Sequence, residues 1–171
     1  MQRISVVGCS GAGKSTFARA LGAVLTLEVL HLDKLFWTPE ISLRPRPEQE
    51  RRLEEALQRQ AFILEGGYGW TYPRRIAACD TLIWLDTSPL RRFLWLRRRR
   101  SRWQDRIGHH PMDATTVQRL PGLDSPLSVL RQHLRAARHL EALFAAPPAG
   151  VRMIRLTGPA KAQAFLDSLR K

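Results

Sequence analysis

An α/β fold built on a parallel sheet is what the sequence predicts, and three observations carry that expectation. Short apolar, β-branched runs alternate with amphipathic stretches of helical period, the pattern of strands joined by helical crossovers. The first run opens into a glycine-rich turn that is followed at once by a helix. Gly8, Asp33, Glu65 and Asp86 each stand where an apolar run stops. Those are the carboxyl ends of candidate strands, where such sheets gather their ligand groups.

Taken in order, Arg3 to Val7 is a β-branched run closed by Gly8, and Lys14 to Leu25 is an amphipathic helix. Leu27 to Leu32 is a second apolar segment, ending at Asp33. From Pro47 to Arg59 the chain is charged, but Leu53, Ala56 and Leu57 recur at helical spacing. Pro47 suits a first turn, and Glu48 and Glu50 complement the positive end of that helix. Ala61 to Leu64 is a third strand stopped by Glu65-Gly66-Gly67, and Thr81 to Leu85 a fourth closed by Asp86. Pro89 to about Arg102 is helical, with Leu90, Phe93, Leu94 and Leu96 apolar among arginines. Trp103 to Asp124 holds Gly108, Pro111, Pro121 and Gly122 and is read as a mobile loop or lid. Leu127, Leu130, Leu134, Ala137 and Leu140 step by three and four through the clearest helix, Leu127 to Phe144. Pro147 and Pro148 end it, Val151 to Leu156 is a fifth strand, and Ala160 to Leu169 a terminal helix. With no internal repeat or low-complexity linker, residues 1–171 are expected to form one domain with a lid insertion at about 97–126.

Composition narrows the function classes. The first apolar run is too short for a signal peptide, and no apolar stretch approaches the roughly 18 residues that span a membrane, so a cytoplasmic protein is expected. The two cysteines, Cys9 and Cys79, belong to no CxxC pair or zinc-spaced cluster and read as reduced and structural. His109 and His110 are adjacent, and His133 and His139 are six apart on a helix, so neither pair offers a metal site. A formal charge of +13 would attract polyanions. The excess is mostly arginine in a chain rich in Ala, Leu and Pro, a mixture that a GC-rich coding sequence produces without selection for binding.

Gly8-Cys9-Ser10-Gly11-Ala12-Gly13-Lys14-Ser15 matches the Walker A pattern G-x-x-x-x-G-K-[ST]. Glycines let the backbone curl until its amides converge on a phosphate, and the following helix turns its positive end to the anion. Gly8, Gly11, Ala12, Gly13, Lys14, Ser15 and Thr16 are therefore the candidate binding residues for ATP. Lys14 would bridge the β- and γ-phosphates, Ser15 would ligate Mg²⁺, and Thr16 supports the loop. Cys9 and Ser10 fill variable positions.

Mg²⁺ needs a carboxylate near Ser15 at the end of a neighbouring strand. Glu65 is the candidate, ahead of Asp86, which the Thr87-Ser88-Pro89 that follows marks as a turn or cap residue. Asp33 stands where an acceptor would approach the γ-phosphate. It could act as general base toward an alcohol, position substrate or Mg²⁺ if the acceptor is a phosphate, or serve only the turn. Arg97, Arg98, Arg99, Arg100, Arg102 and Arg106 lead into the lid. Arginines arriving on a mobile element stabilise a transferring phosphoryl group, against the alternative of a solvated helix face. Arg97 and Arg100 share a face and are the candidates. Trp37, Tyr68, Trp70 and Tyr72 lie near the loops after the second and third strands, to stack on an acceptor or to pack in the core.

These motifs resemble the P-loop kinases of the adenylate kinase type and, among them, the small DNA topology modulation (FlaR-like) proteins. The stretches that carry the resemblance are Val7 to Thr16, His31-Leu32-Asp33 with Trp37, Phe62 to Tyr68, Ala78 to Asp86, and the arginine helix. They span most of the chain, and the first is the most specific. The resemblance implies a P-loop three-layer α/β/α fold, a five-stranded parallel sheet in the order 2-3-1-4-5, ATP with Mg²⁺, and a helical lid carrying catalytic arginines. The chain departs from the family at Glu65-Gly66-Gly67-Tyr68, where Asp-Gly-Asn-Tyr is usual, and at Leu96, where an arginine pair four apart would begin. The Asp-Gly-Phe-Pro-Arg element of true adenylate kinases is missing, so AMP does not follow as acceptor. Arg74 and Arg75 could bind an acidic acceptor or lie on the surface.

Two functions fit. One is a phosphotransferase moving the γ-phosphoryl of ATP to a nucleotide or small-molecule acceptor. The other is an NTP-dependent nucleic-acid-binding protein that uses ATP as a switch, although no helix-turn-helix or zinc-finger signature supports direct DNA reading. No Asn-Lys-x-Asp motif marks a GTPase.

Overall fold

The computed structural model describes residues 1–40, 42–104 and 125–170, with the backbone alone for 99–104. The interior strands are apolar on both faces. Every residue of β3 (Phe62–Glu65) and β4 (Thr81–Leu85) is buried, as are the last four of β1 (Arg3–Val7). Such continuous burial requires helices above and below, which is the condition of a parallel sheet. Among the described residues, β2 (Val29–His31) and β5 (Arg152–Leu156) complete a five-stranded parallel sheet in the order β2-β3-β1-β4-β5. This is the expected order.

One face is covered by α1 (Lys14–Leu25) and α7 (Pro159–Ser168), whose Phe17, Leu21 and Leu166 pack on Ile4, Val6, Ile63, Ile83 and Leu85. On the other, α2 (Leu32–Phe36) and α3 (Arg46–Leu57) bury Phe36, Leu53 and Leu57 against Phe62 and Leu64. There, too, α4 (Tyr72–Ala78) and α6 (Pro126–Ala145) bury Tyr72, Ile76 and Leu140 against Val7, Leu82 and Trp84. α5 (Pro89–Gln104) packs with α6. No helix among the described residues is long and apolar enough to cross a membrane.

The structure corrects several local expectations. The second strand stops at His31 because Leu32 begins a helical turn that buries Leu32 and Phe36, four apart, on one face. Gly69–Thr71 forms a 3-10 turn leading into α4, an element the short segment between two strands did not announce. α5 runs to Gln104, beyond the expected end. Leu127, Leu130 and Leu134 lie on the exposed face of α6, and Val129 and Leu140 are its buried residues. That helix starts where expected because Ser125 caps it, accepting from the Ser128 amide at 3.2 Å. The irregular stretch read as a lid falls outside the described residues from 105 to 124.

Candidate functional site

Parallel register brings the strand ends together, with Val6 opposite Glu65 and His31 also opposite Glu65. Between β1 and α1 the chain turns through Gly8 (φ +144°), Gly11 (+76°) and Gly13 (+87°). A side chain at Gly8 would put its Cβ 2.7 Å from the Leu85 carbonyl oxygen, so the loop closes only with glycine there. Gly13 is the left-handed N-cap of α1 and has no side chain with which to satisfy that helix's first amides. The amides of Gly13, Lys14, Ser15 and Thr16 are thus left to an external acceptor at the positive end of the helix. The Lys14 Nζ donates to the Cys9 carbonyl at 3.1 Å, which places the ammonium across the same loop. Burial pushes Lys14 below its ordinary pKa, and the charges of Glu65 and Asp33 oppose that shift.

Glu65 ends β3 almost wholly buried, and its Oε1 accepts from the Ser15 hydroxyl at 2.9 Å. The His31 Nδ1 lies 2.5 Å from the same oxygen. Burial alone would raise the pKa of Glu65, but the His31 hydrogen bond, the Lys14 charge and the Ser15 hydroxyl hold it below the ordinary value. The carboxylate is therefore ionised, and the His31 Nδ1 carries the proton directed at it. A hydroxyl and a carboxylate side by side make a hard-oxygen pair of the kind Mg²⁺ takes when substrate phosphates and waters complete its shell. In the sequence His31 belonged to a stretch that carries the resemblance but had no role assigned; its pairing across β2 and β3 makes it an orienting partner of Glu65.

Asp33 lies on α2, two residues past the end of β2, and its Oδ1 accepts from the Tyr68 hydroxyl at 2.8 Å. The Trp37 Nε1 donates to the same Tyr68 oxygen at 2.9 Å. Burial first, and the Asp33 charge second, push the Tyr68 phenol well above its ordinary pKa, so it stays a neutral donor. Phe36 packs edge-on to Tyr68 and stacks on Trp70, whose other face carries the Arg46 guanidinium at 3.4 Å. Tyr72, in contrast, is buried in the core against Leu140 and Ile76.

The arginines are divided differently from the sequence expectation. Arg75 is fully buried rather than free for an acceptor, donating to Ser5 Oγ and to the carbonyls of Val6, Leu64 and Gly66 at 3.0–3.1 Å. Burial lowers its pKa to about 10. Arg74 is exposed, 3.7 Å from Glu50. Arg92, which the sequence reading passed over, is also fully buried. Its Nε donates to the Ser10 carbonyl of the loop at 2.8 Å, and its Nη atoms reach Val129 O and Gln132 Oε1 on α6. Arg97 is exposed, its guanidinium 5.9 Å from the Phe93 ring. The side chains of Arg99, Arg100 and Arg102, and Arg106 as a whole, lie outside the described residues. Asp86 accepts from Arg155 Nε and Nη2 at 2.9 and 2.6 Å, an ion pair between β5 and the end of β4. Thr87 contacts the loop through the Ala12 carbonyl.

Beside the loop opens a cavity of 160 Å³ with mainly apolar walls, among them Gly13, Thr16, Trp95, Leu156 and Pro159.

The fold is that of the P-loop kinases. A shikimate kinase from Bacteroides thetaiotaomicron superposes with a TM-score of 0.60 at 14% identity, over 99% of this chain and 96% of that one. A shikimate kinase from Acinetobacter baumannii, in complex with shikimate, gives 0.61 at 18%, over 99% and 90%. The deoxyadenosine kinase of M. mycoides with bound dATP gives 0.53 at 12%, over 98% and 99%. The chain thus shares its fold with these small-molecule kinases, at identities that establish the fold alone. No protein-family model and no curated protein sequence matches it.

Proposed function

We propose that this chain is an ATP-dependent phosphotransferase that moves the γ-phosphoryl group to a nucleotide or small-molecule acceptor. One observation carries the reading: the loop amides, the Lys14 ammonium and the Ser15–Glu65 pair converge at the carboxyl ends of β1 and β3. In this reading Gly8, Gly11, Ala12, Gly13 and Thr16 provide the cradle for the β-phosphate, and Lys14 bridges toward the γ-phosphate. Ser15 and Glu65 hold Mg²⁺, which when bound offsets the charge between the β- and γ-phosphates. His31 keeps the Glu65 carboxylate aimed and ionised. The apolar cavity beside Gly13 receives the base, with Trp95 as its aromatic wall.

Asp33 faces the acceptor. Arg92 brings to the back of the loop a guanidinium that has no carboxylate partner among the described residues, and its field favours bound anions. Arg97 and Arg100 remain proposals for the arginines that meet the transferring group. The motifs from Val7 to Asp86 further support a place among the FlaR-like proteins of the adenylate kinase type. A role in DNA binding is less well supported, since on α3 and its approach Arg44, Arg46, Arg51 and Arg52 are each paired with a glutamate.

Replacement of Lys14 by alanine is expected to abolish phosphoryl transfer while far-UV circular dichroism stays that of the parent. Screening Mg-ATP with a metabolite library by mass spectrometry tests the reading itself. Wild-type protein that neither binds ATP nor forms ADP with any acceptor defeats it. DNA retention in a gel shift that weakens steeply with salt, without any phosphoryl transfer, would favour the switch reading instead.

A further inference from the structure

Trp37, Tyr68 and Asp33 form one hydrogen-bonded chain, each link at 2.8–2.9 Å, that runs from an aromatic wall to a carboxylate beside the phosphate loop. The direction of each link is fixed. An indole N–H can only donate, so the Tyr68 oxygen accepts from Trp37 and must send its own proton to Asp33 Oδ1. The chain thus occupies one carboxylate oxygen and, among the described residues, leaves Oδ2 without a donor. No arginine or lysine among the described residues forms an ion pair with Asp33, which lies two residues past His31 at the carboxyl end of β2, where the His31 ring meets Glu65 beside Ser15. The arginines at the start of α3 and on its approach are engaged elsewhere, Arg44 with Glu48 and Arg46 with Glu50.

We infer that Trp37 and Tyr68 are positioning residues that hold Asp33 as a proton acceptor, and that the acceptor substrate is therefore a hydroxyl compound rather than a phosphate. This rests on the kinase reading and narrows it. An alcohol needs a base; a phosphate oxygen is already ionised, and its approach to an unneutralised carboxylate is repulsive. In the step, the acceptor oxygen forms the new bond to the γ-phosphorus as the bond to the β,γ-bridging oxygen breaks. The hydroxyl proton passes to Asp33 Oδ2, and ADP leaves with the bridging oxygen. Tyr68 and Trp37 keep the receiving lone pair turned toward the acceptor. The half-buried Tyr68 ring, packed edge-on to Phe36, offers an apolar surface to the body of such a substrate.

The test is a double-mutant cycle read on Mg-ATP hydrolysis, with water as the surrogate hydroxyl acceptor, and repeated on any hydroxyl compound found to be phosphorylated. Tyr68→Phe should lower kcat about tenfold, the effect of one hydrogen bond to a charged group, with KM for ATP within about twofold. Trp37→Phe should act in the same direction and supplies the measurement if Tyr68→Phe does not fold. Asp33→Asn should cost about a hundredfold or more, and adding Tyr68→Phe to it should cost nothing further. A Tyr68→Phe factor that persists undiminished in the Asp33→Asn background overturns the inference, because the tyrosine would then not act through Asp33. So does efficient phosphorylation of nucleoside monophosphates that Asp33→Asn leaves at the wild-type rate. Either result leaves the kinase reading standing, provided ATP binding is lost in Lys14→Ala; binding that does not depend on Lys14 removes both.

Discussion

Two buried guanidiniums carry more of the site than the exposed arginines. Arg75 donates to carbonyls at the ends of β1 and β3 and to Ser5, so it ties together the two strands from which the loop and Glu65 project. Arg75→Met would leave those oxygens buried without donors, and we expect a loss of about 3 kcal/mol in denaturant unfolding. A loss under about 1 kcal/mol would show that water replaces the guanidinium. Glu65 makes a pH-dependent contribution whose sign follows from its lowered pKa. Stability from the ionised group is present above its ordinary value near 4.5 and disappears as pH falls through the lower folded-state value. Acid unfolding of Glu65→Gln should accordingly lack the part of the pH slope that lies below about 4.5 in the parent.

At the level of elements, one side chain links α5 and α6 to the phosphate loop. Arg92 leaves α5, reaches the Ser10 carbonyl, and meets Val129 and Gln132 on α6. Leu96 and Trp95 from the same helix approach Gly11 and Gly13 closely enough that a side chain at either glycine would collide or crowd. The loop is therefore shaped from behind by α5 as well as by its own glycines. Arg92→Met should weaken ATP binding about tenfold in isothermal titration while Lys14 and the loop sequence are untouched. Unchanged affinity would mean that the loop holds its form without that contact. Ser125 caps α6, and Ser125→Ala should cost about 1 kcal/mol, read as a lower denaturation midpoint with no change in ATP affinity.

Across the molecule, ligand binding and folding are linked through the same group. Burial disfavours the charged form of Lys14, and a bound triphosphate supplies the counter-charge that favours it. Mg-ATP at a hundred times its Kd should stabilise the protein by about 2.7 kcal/mol, a rise in Tm of about 5–10 °C. Lys14→Ala should abolish the rise, and a comparable rise in that variant would place the triphosphate elsewhere. Much of this architecture was readable beforehand. The five strands, α1, α5, α6 and the loop all come from periods and glycines inside short windows. The short α2 and α4 were not, because Leu32–Phe36 is too short to show a period and Gly69–Ala78 begins in a glycine-bearing turn.

What the amino-acid sequence determined by itself is the chemistry that lies within one turn of chain: a glycine loop, the lysine and serine after it, and carboxylates where apolar runs stop. Those features depend on neighbours a few bonds away, and local sterics and hydrogen-bonding capacity dictate them. The tertiary structure alone decided which distant groups meet. His31 reaches Glu65 across 34 positions, Tyr68 reaches Asp33 across 35, and Arg92 reaches Ser10 across 82. It also buried Arg75 and Arg92 while leaving Arg97 in solvent, a difference invisible among residues of one type. The reason is physical: parallel register and helix packing set these partners, and both are properties of the whole folded chain that no short segment contains.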